Sequence, residues 1–126
     1  MLVEKLEAVL LISPNAKALR DFYINCLEFP LEDEEHEGVP LHYTCKVGNI
    51  HFAIHTSGGW PGEPNKNSQS PTLVFNSRNI QKLQRKLQSA GTDVKGPTDH
   101  GFAEVLSFRD PDGNLVEILQ PKNKHK

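Results

Sequence analysis

A chain that repeats its own pattern is built to fold as two similar units, and this one repeats at an offset of 64 residues. Ser13 and Ser77, Asn15 and Asn79, Leu19 and Leu83, and Cys26 and Ala90 occupy matching places. In the first half an apolar run at 8–12 leads into Ser13-Pro14-Asn15, where Ser13 is expected to cap a helix with Pro14 at its first position. Leu19, Phe22, Tyr23, Cys26 and Leu27 then recur at three- and four-residue steps, which gives one apolar helix face. In the second half 73–75 leads into Ser77-Arg78-Asn79, and Ile80, Leu83, Leu87 and Ala90 follow at the same spacing until Gly91 ends the helix.

Strand-like segments follow each helix, at 31–34, 41–47 and 50–56 in the first half and at 92–95, 102–108 and 115–120 in the second. Each half reads strand, helix, then three strands. Residues 57–70 lie between the halves with three glycines, two prolines and no period, and read as a long surface loop carrying Trp60. The acidic run 32–37 reads as a solvated strand edge.

Composition narrows the function classes. The 126 residues suit one domain, and a net charge of −2 offers no field for a phosphate backbone, so nucleic acid is not the expected partner. No apolar run approaches the roughly 20 residues that span a bilayer, and Glu4, Lys5 and Glu7 stand where a signal peptide would be apolar. No membrane association and a cytoplasmic location are the expectations. Cys26 and Cys45 make neither a Cys-x-x-Cys pair nor a disulfide framework, and read as reduced thiols.

Val47-Gly48-Asn49-Ile50 reads as a two-residue hairpin of type II′, which fixes the register on both sides. Counting outward pairs Cys45 with Phe52 and Tyr43 with Ile54 on one face, and Lys46 with His51, Thr44 with Ala53 and His42 with His55 on the other. The helices must cover the apolar face, so the face with three histidines is the open one. The same parity in the last strand sets Leu115, Glu117 and Leu119 opposite Val116 and Ile118. Glu117 is thus an acid among apolar neighbours, and needs a cation, a metal or hydrogen-bond donors, with Lys46 and Arg109 as structural partners.

Ile12-Ser13-Pro14-Asn15, Phe22-Tyr23, Leu87-Gln88-Ser89-Ala90-Gly91 and above all Phe108-Arg109-Asp110-Pro111-Asp112-Gly113-Asn114-Leu115-Val116-Glu117 resemble the vicinal oxygen chelate superfamily, the glyoxalase, bleomycin-resistance and extradiol dioxygenase family. The resemblance implies an α+β fold of two βαββ modules, with repeats at about 5–57 and 70–121, forming a cupped mixed eight-stranded sheet with the helices on its outer face. It also implies a homodimer. In metal-using members the ligands come from the first and last strands of each half, and those positions fall here on Ala8, His51, Thr72 and Glu117. Ala8 and Thr72 are not usual ligands, so the full family metal site is not expected, and no cofactor is expected beyond a divalent Zn, Ni, Mn or Fe at Glu117 and His51. A one-residue slip would bring Glu7 inward in place of Ala8, and a second route to a metal would combine His42, His51, His55 and Glu117.

The candidate residues are therefore Glu117 for catalysis or metal binding, and His42, His51, His55 and Trp60 for ligand contact. His100 reads as a loop histidine, Arg109 and Asp110 as turn residues, and Tyr23 and Cys26 as core. The leading expectation is a cup that binds a small organic molecule. The alternative is a divalent-metal-dependent lyase or isomerase of the lactoylglutathione lyase type, and a third is a dimeric interaction module.

Overall fold

The computed structural model describes residues 1–36, 39–56 and 71–122, in two compact units, Met1–Ser68 and Gln69–Lys126. The first contains β1 (Ala8–Ser13), α1 (Ala16–Leu27), β2 (Glu32–His36), β3 (Val39–Val47) and β4 (Ile50–Thr56). The second contains β5 (Leu73–Asn76), α2 (Ile80–Ser89), β6 (Lys95–Asp99), β7 (Ala103–Arg109) and β8 (Leu115–Pro121). The sheets share one topology, β1-β4-β3-β2 and β5-β8-β7-β6, with the first strand of each unit parallel to its last and the other pairings antiparallel. The expected α+β class and its duplication are both present.

The duplication extends to single hydrogen bonds. Asn15 and Asn79 are the N-caps, each side chain accepting from the backbone three residues on, Ala18 N at 3.2 Å and Lys82 N at 3.1 Å. Ser13 was expected to cap; instead its Oγ accepts from Asn15 N at 3.0 Å, and Ser77 does the same for Asn79. The correction has a backbone cause: Asn15, with φ −137, is the last non-helical residue, so its oxygen is the one placed over the free N–H groups. Gly91 ends α2 as expected, at φ 82, with Thr92 N donating to Leu87 O at 2.9 Å. In α1 the left-handed position falls to Glu28 at φ 62, a conformation that costs a residue with a Cβ about 1–2 kcal/mol.

In the first unit α1 lays Leu19, Tyr23 and Cys26 on β1 and β4, burying them with Phe52 and Ile54. Tyr23, Phe29 and Phe52 form a triangle of rings with centroids 5.0–5.4 Å apart. In the second, Ile80 and Leu87 of α2 are fully buried, as are Leu106, Val116 and Ile118 of the sheet beneath. Two polar ties fix α2 in place: Ile80 N donates to Gln120 Oε1 at 2.8 Å, and Gln84 Nε2 donates to Gly96 O at 3.3 Å.

The β3–β4 hairpin has the expected register, with Val47 opposite Ile50 and Gly48 at φ 61. The expected strand at 92–95 does not form; β6 begins at Lys95 and runs through Gly96-Pro97. A Gly-Pro pair reads as a breaker, but one extra residue between Lys95 and Thr98 leaves the proline outside the ladder, so the strand survives as a bulged one. Phe102 stands before β7 rather than in it.

Candidate functional site

Because α2 covers one face of the second sheet, the side chains of opposite parity stand on its open face. Cross-strand pairing sets them in rows. Lys95 pairs with Ser107, Ser107 with Glu117, and Glu117 with Val74, one residue from each of the four strands. The next row runs Thr98, Val105, Leu119. Lys95 and Thr98 are three residues apart and in a regular strand would face opposite sides; the bulge puts both on the open face. Gly96 makes this possible, since at φ 96 a Cβ there would stand 2.5 Å from Val105 O.

These rows line a cavity of about 330 Å³, with His100 and Phe102 at its rim. Phe102 is 60% exposed, an aromatic face on the wall of a concave site. The rim is pinned by Asp99, whose carboxylate accepts from Gly101 N at 2.8 Å and from Lys122 Nζ at 2.6 Å. Those bonds, that to Lys122 foremost, hold the Asp99 carboxyl below the usual range.

Glu117 sits half-buried in the middle of this site. Among the described residues no ion pair or side-chain hydrogen bond reaches its carboxylate. Arg109, one expected partner, donates instead to Gly113 O at 2.8 Å. Asp110 is the hub of that same turn: its Oδ1 accepts from Asp112 N and Asn114 N and its Oδ2 from Asn114 Nδ2.

The histidines belong to the first unit. His42 and His55 come together as expected, their rings stacked with centroids 4.3 Å apart, and each is 4% exposed. His42 Nε2 donates to Glu34 Oε1 at 3.0 Å. Burial lowers the pKa of His55, and His42 beside it lowers it further, against an opposing pull from Glu34. His51 lies on the same sheet face but is exposed, next to Ala8. Trp60 lies outside the described residues.

Ala8 pairs with His51 and Leu10 with Ala53, while Val9 and Leu11 join the helix side with Phe52 and Ile54. The slip that would bring Glu7 inward is not the register adopted; Glu7 is exposed and lies 3.5 Å from Lys5 Nζ. Of the four positions where metal-using relatives hold an ion, Ala8 offers a methyl group, Thr72 an exposed neutral hydroxyl, and only His51 and Glu117 are good donors. A catalytic divalent ion takes about three protein ligands, so this donor set does not fit one. Among the described residues no three His, Cys, Asp or Glu side chains gather as they would around a metal ion.

Residue pattern alone pointed to Glu117 and missed Lys95, Ser107 and Phe102. Ser107 could have been found by counting back from the Asp110–Asn114 turn, which sets residue 109 opposite 115 and 107 opposite 117. Lys95 could not, because its orientation depends on the bulge.

Comparisons with known proteins agree with this architecture. No curated protein matches the chain. Among solved structures, TnmS3, an antibiotic binding protein from Streptomyces sp. CB03234, is 22% identical with a TM-score of 0.73, the match covering 97% of this chain and 99% of that one. TioX from Micromonospora sp. ML1 is 16% identical with a TM-score of 0.71, over 94% and 100% of the two chains. A glyoxalase/bleomycin resistance protein/dioxygenase from Nocardioides is 15% identical with a TM-score of 0.71, over 100% and 89%. At these identities the likeness is one of fold. The family model for the Glyoxalase/Bleomycin resistance protein/Dioxygenase superfamily matches residues 5–118, nearly the whole chain, and the chain belongs to that superfamily.

Proposed function

We propose that this protein binds a small organic molecule on the open face of the second sheet, without the full metal site of its superfamily. One observation carries the reading: a half-buried carboxylate, Glu117, stands without an ion pair or side-chain hydrogen bond among the described residues, in a cavity of about 330 Å³ beside Val105, Leu119 and Phe102. That volume is at the small end of ligand sites, which run from roughly 300 to 1,000 Å³. A lining that sets Val105, Leu119 and Phe102 beside polar side chains and a carboxylate binds by burying a ligand's carbon surface and orients it by charge-assisted contact. The fold likeness to an antibiotic binding protein supports the same class of role.

On this reading residues 1–126 act as one domain of two repeats, and the family's homodimer carries over, which gel filtration checks. Calorimetric titration of metal-free protein with a panel of small aromatic and heteroaromatic compounds is the test. Binding by some of the panel, unchanged by added Zn, Ni, Mn or Fe, is expected. Binding or turnover that appears only with a divalent ion would instead establish the metal-dependent lyase or isomerase. No binding in either state would remove both.

A further inference from the structure

The geometry points to a small zwitterion with an apolar body as the ligand of this site, its ammonium group on Glu117 and its anionic group on Lys95. The inference rests on the pocket reading above and adds the chemical class.

Lys95, Ser107 and Glu117 are successive members of one cross-strand row on the open face, a cation, a hydroxyl and a carboxylate in line. Two strand spacings put the outer two about 10 Å apart at their Cα atoms. Neither takes part in an ion pair or side-chain hydrogen bond among the described residues, and neighbouring charges are engaged elsewhere, Lys122 with Asp99 and Arg109 with Gly113 O. Two opposite charges held apart over a hydroxyl, with a concave space above them, match a molecule that carries the complementary charges. The four-carbon stem of Lys95 lets its ammonium group lean toward Ser107, so the ligand's own charges can lie a few bonds apart. Ser107 between them can donate to the ligand's anionic group or accept from its cationic one.

The remainder of the ligand is set by the second row and the rim. Val105, Leu119 and Phe102 supply carbon surface on one side of the charged row, so the apolar body extends that way. Nothing in this arrangement asks for a metal. A half-buried carboxylate has lost part of its hydration, and a ligand ammonium group restores the lost contacts more completely than the exposed Lys95 can from across the row.

A matched series tests the charges one at a time: L-tryptophan carries both, tryptamine lacks the carboxylate, indole-3-propionate lacks the ammonium group, and indole lacks both. Calorimetry on the full, metal-free chain is expected to give L-tryptophan an affinity about tenfold above tryptamine and above indole-3-propionate. Glu117→Gln should abolish the advantage over indole-3-propionate and leave that over tryptamine, and Lys95→Met should do the reverse. Circular dichroism verifies the fold of both variants, and the wild-type series decides the matter without them. Equal affinity across the series would overturn the zwitterion while leaving the pocket intact. Failure of all four to bind would overturn it as well, and the broader panel would then show separately whether the pocket binds other compounds.

Discussion

His42 and His55 stack ring on ring across neighbouring strands, with planes 9° from parallel and centroids 4.3 Å apart, and Glu34 Oε1 lies 3.0 Å from His42 Nε2. Two protonated imidazoles at that distance would repel each other, and burial disfavours the charge on His55 before that repulsion is added. Its folded pKa lies below its unfolded value, so the unfolded chain binds the extra proton. Stability is therefore full above the unfolded histidine pKa, about 6.5, and falls as pH drops from there through the folded value. Thermal unfolding followed from pH 7.5 to pH 5 should show this decline, and His55→Gln should flatten it. An identical slope in the variant would remove His55 as its source.

Gly96 holds the bulge that turns Lys95 onto the open face. With φ at 96 and Val105 O 2.5 Å from any added Cβ, Gly96→Ala should cost about 2–3 kcal/mol. Urea unfolding reads the loss, and ligand affinity should fall with it because Lys95 is displaced.

Asp110 is 4% exposed and accepts three hydrogen bonds inside its own turn. Asp110→Ala leaves those donors unmet and should cost about 1–3 kcal/mol in the same measurement. Asp110→Asn, which keeps an oxygen, should cost less.

The rim and the core should separate cleanly. Leu87 of α2 is fully buried, and Leu87→Ala should lose about 2–5 kcal/mol of stability. Phe102 is 60% exposed, so Phe102→Ala should change stability by no more than about 0.5 kcal/mol while weakening binding of aromatic compounds in calorimetry.

What was legible in the sequence was whatever a short period or a tight turn enforces. The 64-residue offset placed both helices, and the Gly48 turn fixed β3 against β4 residue by residue, so the His42–His55 pairing followed from counting. Parity likewise put Glu117 opposite Val116 and Ile118 in facing. Counting failed where the chain leaves regular geometry. The bulge at Gly96 moved β6 and turned Lys95, and the cap moved from Ser13 to Asn15 because the helix starts at Ala16, two residues later than Pro14 suggested. Glu28 in the left-handed region carries no sequence mark at all.

The most direct measurement of the central claim is a residue-resolved NMR titration of metal-free protein with the tightest compound of the panel. Amide shifts should concentrate on Lys95, Ser107, Glu117 and Leu119, the cross-strand rows of the open face, and should appear without any divalent ion. Shifts confined to other surfaces, or arising at Glu117 only once Zn, Ni, Mn or Fe is added, would contradict it.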